Sequence, residues 1–444
     1  MIKIHIGIDD TDSYKGGCTT YIASILSEEL DKKRWIKIID YPNLIRLNPN
    51  IPFKTRGNGS IAFRILIEKY KIDKLMDKVW NTVLENSFLY GKTSPSVVFW
   101  EGEINKEIRK FYNRALTTLV SYSYLDKIIE RNSDKITIFF KEKKRSLIGA
   151  LAAIGGILTS DYTFELIAYR NPSIDTRYRK IDFLSVIRFD RKIRPYTFNN
   201  FDYNKKRILI TPHGPDPVIF GIRGNNPKYL LKALRIIVTK ERIERWTIFR
   251  TNQGTDAHLS IFKKIKETRP YDSVIIKGRV LENPKIMRGG HILFKISDET
   301  GSMLVIAYKE TGRLCKIIKL LKKGDLVEVY GGIRPPSKNY PLSLNLEKIK
   351  VIETPPIKVS YNPLCPVCSR RMKSAGRNKG YKCKHCGYYS KNLRKVVIYK
   401  PRLLKPGIYI ASPRAHRHLT KPLSRYENVN RGDKIKIVFP WHYP

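Results

Sequence analysis

Two cysteine pairs constrain this 444-residue chain more than any other feature: Cys365-Pro-Val-Cys368 and, after a 14-residue spacer, Cys383-Lys-His-Cys386. Knuckles of this kind on a short β ribbon bring four thiolates to one point, the donor set of a closed, tetrahedral, structural zinc site. Redox Cys-x-x-Cys motifs come singly on a thioredoxin-like scaffold, which a doubled motif does not match. His385 lies between ligands as a bystander, and Cys18 and Cys315 are left as unpaired thiols. Cysteines committed to metal rather than to disulfides belong to a reducing compartment, so the expected location is cytoplasmic. The longest nearly apolar run, 147–158, is too short to span a bilayer, and the first residues read as a strand rather than a signal.

The segment before the cysteines has a different texture. Short strands at 274–281, 291–297, 303–308, 326–333 and 342–352, with a helical segment at 314–321, follow the order of an OB-fold, a small barrel widely used for nucleic acids. A generic small β barrel is the other reading. Charge points to a polyanion: 85 Lys and Arg stand against 40 Asp and Glu, a formal +45. From Glu353 onward, 21 cations face 3 acids, and Tyr361, Tyr381, Tyr388, Tyr389, Tyr399 and Tyr409 are interleaved with them as stacking faces. This stretch reads as a nucleic-acid arm, and no membrane partner is expected.

At the other end, Ile2, Ile4, Ile6 and Ile8 alternate with Lys3, His5 and Gly7, the pattern of a strand with one buried face. Asp9, Asp10 and Asp12 crowd the point where that strand should stop. Gly16 and Gly17 then allow a tight loop, and Thr19 or Thr20 is placed to cap a helix. Such a knot is either a polar turn capped by Asp12 or Thr19, or a site for magnesium and polyphosphate. Carboxylates are hard oxygen donors, and a helix N-terminus offers free amides. In so basic a chain the second reading is favoured.

Residues 53–59 form a glycine-rich basic turn in which Lys54 and Arg56 either face phosphate or simply connect two strands. Gly91-Lys-Thr93 is no P-loop, because Asn86 stands where that motif needs glycine. Beyond it, 146–158 reads as a small-residue helix packed closely on a sheet, and 163–169 and 183–189 read as strands. His213, Gly214 and Asp216 sit in a proline-locked loop that faces a ligand or is only a rigid turn. Alternating elements of this sort give α/β or α+β layers.

Gly7-Ile-Asp-Asp-Thr-Asp-Ser13 with Gly17-Cys-Thr-Thr-Tyr21 resembles the archaeal tRNA-isoleucine agmatidine synthetases, or tRNA(Ile) 2-agmatinylcytidine synthetases. Arg46-Leu-Asn-Pro49, Lys54-Thr-Arg-Gly-Asn-Gly59, His213-Gly-Pro-Asp-Pro-Val218 and the barrel-then-ribbon order are similar too, across essentially the whole chain. The resemblance implies an ATP-dependent ligase acting on the wobble cytidine of isoleucine tRNA with a CAU anticodon. It would join agmatine to carbon 2 through phosphorylation of the base oxygen, changing the codon read from AUG to AUA.

The implied fold is multidomain α+β. It has an N-terminal α/β kinase-like module without a P-loop (1–105) and a ferredoxin-like module whose elements are open to sharing with the first (106–265). An OB-fold (270–353), a zinc ribbon (361–390) and a basic C-terminal RNA-binding region (391–444) follow. The resemblance puts Mg-ATP on Asp9, Asp10 and Asp12 and autophosphorylation on Thr19. Thr11, Thr20, Lys54, Arg56, His213 and Gly214 are further candidates for ATP or phosphate. The guanidinium of agmatine calls for a carboxylate or carbonyl oxygens, and Asp161, Asp216 and Asp256 all stand open for it. Two other classes remain on the residues alone: a non-catalytic nucleic-acid-binding protein, or a nuclease using the carboxylates as a two-metal site.

Overall fold

The structure is a computed structural model and describes residues 1–174, 178–338, 340–432 and 435–444. Strand β1 (Ile2–Asp9) leads through the acidic loop into α1 (Thr19–Asp31), followed by β2 (Ile36–Ile38), β3 (Asn43–Arg46) and β4 (Gly59–Ile67). Next come α2 (Ile72–Asn86), β5 (Ser96–Glu101), α3 (Lys106–Thr117), α4 (Tyr122–Arg131), β6 (Ile136–Phe140) and α5 (Arg145–Gly155). The body is completed by β7 (Thr163–Tyr169), α6 (Phe183–Ile193), β8 (Thr197–Phe198), β9 (Val218–Gly224) and β10 (Arg245–Thr251). One sheet runs through it in the order β6-β5-β1-β4-β3-β10-β7-β9-β8, with β2 beside β4. Among the described residues, neighbours in this sheet are antiparallel except β3 and β10, whose parallel pairing joins the two halves.

β1 is buried on both faces. Ile4, Ile6 and Ile8 pack against Ile22 and Leu26 of α1 and Val79 and Val83 of α2, each burial stabilising by roughly 1.5–3 kcal/mol. The face expected to be open lies under α5, which approaches so closely that a Cβ on Gly7 would sit 2.0 Å from the Ala150 carbonyl oxygen. His5 on that face accepts from Arg64 Nη1 at 2.9 Å. Arg64 Nη2 donates to the carbonyls of Ile154 and Gly156, partnering the buried C-terminal end of α5. Burial, then Arg64, holds the His5 pKa down at about 2.

The run expected as a strand at 183–189 is helix α6 instead. Asp182 caps it by accepting from Ser185 N at 2.6 Å, and its buried residues Val186, Phe189 and Ile193 follow helical spacing. The short apolar run hid a period that becomes visible only when carried on to Ile193.

The barrel comprises β11 (Ser273–Val280), β12 (Ile292–Asp298), β13 (Gly301–Ala307), α7 (Arg313–Ile318), β14 (Leu326–Arg334) and β15 (Ser343–Glu353). Its strand order β11-β14-β15-β13-β12 closes through β12 on β11, with α7 between the third and fourth strands as the sequence predicts. A two-stranded stem, β16 (Ile357–Tyr361) with a later partner, then leads out to the cysteine ribbon of β17 (Lys373–Ser374), β18 (Tyr381–Lys382) and β19 (Tyr389–Ser390). The stem returns as β20 (Val396–Lys400).

The remaining chain is a strap over the molecule. β21 (Gly407–Ile410) pairs with β15 of the barrel, and β22 (His442–Tyr443) pairs with β10 of the body. Trp441 is buried in the core of the body beside Tyr41, and its carbonyl accepts from Ile248 N at 2.8 Å. No helix among the described residues is long and apolar enough to cross a membrane.

Candidate active site

The ends of β1, α1 and α5, the 54–59 turn, the 207–216 loop and strap residues 413–418 enclose a cavity of about 1290 Å³. Asp9 reaches it only because residue 149 of α5 is glycine: a Cβ there would lie 2.0 Å from Asp9 Oδ2. Burial, then the neighbouring Asp10, pushes the Asp9 carboxyl up to about 8. Asp10 takes a left-handed φ of 56°. Its carboxylate accepts from Arg145 Nη2 at 2.8 Å, Ser94 N at 3.2 Å and Thr55 Oγ1 at 3.3 Å. Burial also raises Asp12, against the pull of Arg56. Arg56 ties three segments together. It donates to Asp12 Oδ2 at 2.8 Å through Nε, to Asp216 Oδ2 at 3.0 Å through Nη1 and to the Gly17 carbonyl at 2.6 Å through Nη2.

Helix α1 lacks the expected threonine cap. Cys18 occupies the capping position with extended backbone and no side-chain cap, so Thr19 and Thr20 become the first helical residues. The Thr19 hydroxyl accepts from Thr11 Oγ1 at 3.0 Å, which fixes it to the acidic loop. The Cys18 sulfur lies 3.1 Å from Thr20 Oγ1, and burial pushes the thiol up to about 11, so it remains protonated.

Of the residues predicted from sequence, Asp9, Asp10, Asp12, Thr19, Thr20, Lys54, Arg56 and His213 line the cavity. Thr11 is buried behind Thr19. Gly214 packs beside the Arg56–Asp216 pair, where a Cβ would fall 2.9 Å from Asp216 Oδ2. Lys54 donates to the Pro49 carbonyl, and His213 Nε2 lies 2.8 Å from Arg207 Nη2. Among the three acids left open for a guanidinium, only Asp216 reaches the cavity. Asp161 is held by Lys421 and Arg425, and Asp256 by Lys348, so both serve the strap and barrel.

Several wall residues have no counterpart among the sequence-based candidates: Lys92, Arg145, Glu165, Arg223 and His418. Two of them left a signal. Lys92 belongs to the Gly-Lys-Thr turn that fails as a P-loop, and Arg145 precedes Gly149 by about one helical turn. Glu165 accepts from Arg223 Nε at 3.0 Å and from Gln253 Nε2, and His418 Nδ1 lies 2.8 Å from Gln253 Oε1. These partners are brought together only by the sheet and the strap.

Away from the cavity, the sulfurs of Cys365, Cys368, Cys383 and Cys386 all lie within 4.8 Å of one another. Tetrahedral thiolates at a zinc–sulfur distance of about 2.3 Å stand about 3.8 Å apart, so the cluster fits structural zinc.

Family models match nearly every part of the chain. The TiaS TCKD domain covers residues 5–139, the TiaS FLD domain 144–258, an OB-fold nucleic acid binding domain 274–352 and the TiaS C-terminal zinc ribbon domain 362–404. The tRNA(Ile2) 2-agmatinylcytidine synthetase TiaS of Thermofilum pendens is 42% identical over 426 residues, 95% of each chain. That of Methanocaldococcus jannaschii is 41% identical over 433 residues, 95% of this chain and 99% of its own. Among solved structures, the TiaS–tRNA(Ile2)–ATP complex aligns with a TM-score of 0.84 at 38% identity, covering 97% of this chain and 99% of that one. The TiaS–tRNA(Ile2)–AMPCPP–agmatine complex gives 0.81 at 35% identity over the same shares. On full-length identity of this order, the chain belongs to the tRNA(Ile2) 2-agmatinylcytidine synthetase (TiaS) family.

Proposed function

We propose that the protein is an ATP-dependent ligase that joins agmatine to carbon 2 of the wobble cytidine in CAU-anticodon isoleucine tRNA. The observation that carries this reading is the cavity itself. Three carboxylates, a threonine hydroxyl at a helix start and several arginines converge there, in a chain of the matching family. The base oxygen on carbon 2 is a poor leaving group until it is phosphorylated, and phosphoryl transfer depends mainly on positioned charge.

Asp9, Asp10 and Asp12 are the residues that would hold magnesium. Burial, and to a lesser extent the charge of Asp10, raises Asp9 and Asp12, a cost that a divalent cation relieves, so the donor set fits. When bound, the ion neutralises charge on the phosphates. Arg145 and Arg56 orient Asp10 and Asp12 and add positive charge to the same wall. Thr19, held by Thr11, is the candidate autophosphorylation site. We read 1–105 as a kinase-like module that cradles phosphate without a P-loop and 106–265 as a ferredoxin-like module, both built on the shared sheet. The target base must leave its stack to enter so enclosed a site.

The test is nucleoside mass spectrometry of a CAU-anticodon tRNA transcript treated with the protein, magnesium-ATP and agmatine, each omitted in turn. An agmatine-sized gain that needs ATP, and that Asp9→Ala or Asp12→Ala reduces by roughly a thousandfold, is the expected result. An unchanged nucleoside with tRNA still bound would reject the ligase reading.

A further inference from the structure

We infer that His418, contributed by the strap, is the general base that takes the proton from the attacking amine; this rests on the ligase reading above. The hydrogen-bond chain behind it sets its tautomer. Glu165 accepts from Arg223 Nε at 3.0 Å with one oxygen, and with the other it accepts from Gln253. The amide nitrogen of Gln253 must therefore face Glu165, which turns its oxygen, Oε1, toward His418 Nδ1 at 2.8 Å. An oxygen acceptor there requires Nδ1 to carry the hydrogen. In the neutral ring the lone pair is then on Nε2, which makes no hydrogen bond among the described residues.

Nε2 lies against the glycine turn that lines the cavity together with His418. A Cβ on Gly57 would stand 3.3 Å from His418 Nε2 and 2.6 Å from Arg46 Nη1, so imidazole and guanidinium lie together on the glycine turn. The Arg46 charge, burial and Arg223 hold the His418 pKa well below its ordinary value, which keeps the ring an acceptor rather than an imidazolium. The same cations disfavour an ammonium nearby, so agmatine meets the base as a free amine. As its nitrogen bonds to carbon 2 and phosphate departs with the electrons of the carbon–oxygen bond, the nitrogen becomes strongly acidic. Its surplus proton passes to Nε2. A weak base suffices for so acidic a donor.

The experiment compares single turnovers of the full-length wild type, His418→Asn and His418→Ala on the CAU transcript, following ATP consumption and agmatine joining separately. Asparagine keeps an N–H for Gln253 and removes the base. The expected result is a loss of joining of about 10²–10⁴-fold with a far smaller loss of ATP consumption, and partial recovery of His418→Ala on adding imidazole. Joining by His418→Asn at the wild-type rate would overturn the inference. So would a parallel loss of both steps without imidazole rescue, which marks a structural role. A wild type that joins no agmatine would instead remove the proposed function and this inference with it.

Discussion

The ribbon and the strap have the same basic composition and opposite fates. Every Lys and Arg from Arg370 to Lys400 is exposed, and none forms an ion pair with a described carboxylate. In the strap, Arg402 is buried on Asp325, Arg417 reaches Glu347, and Lys421 and Arg425 converge on Asp161. Arg425 is 1% exposed and also donates to the carbonyl of Gly254 and to Asn225 at 2.7 Å. Density of positive charge therefore does not identify a surface for RNA. The carboxylates that meet it decide whether a cation is a fastener or is left free for phosphate.

If the ribbon is built by its metal and the strap by its ion pairs, removing zinc should act on one and spare the other. Structural zinc sites of this kind contribute about 10 kcal/mol to folding their own segment. A chelator should collapse protection of amides around 365–390 in hydrogen exchange while β1 and β10 keep theirs. Loss of protection in both regions would show that the ribbon supports the body, breaking the contrast. Next in size is Arg425→Ala. It leaves Asp161 short of its better partner and frees the Gly254 and Tyr162 carbonyls, so it should cost about 3–5 kcal/mol in chemical denaturation.

What sequence could and could not show follows the same division. The ribbon and barrel were legible because their signals are local: cysteine spacing, strand order, a helix in its place. Asp9, Asp10 and Asp12 were legible for the same reason, crowded as they are into one short loop. The strap was not. Its cations read as an arm because Asp161, Asp325 and Glu347 lie far away in the chain, and no local pattern announces such a pairing. His418 and Glu165 escaped notice on the same ground, as parts of a wall assembled from β7, β10 and the strap. The second face of β1 was missed because a histidine and a glycine look solvent-facing until Arg64 and α5 cover them.

Acid separates the regions more gently. The unfolded chain binds a proton on His5 near pH 6.5, whereas the folded chain refuses it until about 2. Protons are thus taken up on unfolding between those limits, and stability falls as pH drops below about 6.5. At about 1.4 kcal/mol per pH unit, the body should lose up to about 3 kcal/mol from this residue by pH 4.5. His5→Gln should flatten that limb of the pH–stability curve. An unchanged slope would mean that Arg64 does not hold the histidine neutral.

The smallest effect on folding, and the sharpest on binding, belongs to the ribbon. Arg371 stacks with its guanidinium carbon 4.8 Å from the Tyr361 ring centre, and Lys400 approaches the same ring at 5.7 Å, so this face offers charge beside a flat aromatic surface. Replacing Arg370, Arg371 and Lys373 by serine should shift stability by no more than about 1 kcal/mol: no carboxylate is abandoned, and what is lost is the exposed Arg371 contact with Tyr361 and its bond to the Asn362 carbonyl. Affinity for tRNA should fall, and the slope of log affinity against log salt should shrink by about 0.7–0.9 for each phosphate that the ribbon no longer neutralises. Arg417→Ser offers the counter-case, because it deserts Glu347 and Asn50 and should move stability more than salt slope. If the ribbon variant binds tRNA with an unaltered slope, exposure was a poor guide, and the cations that meet phosphate must be sought on the barrel and the cavity rim.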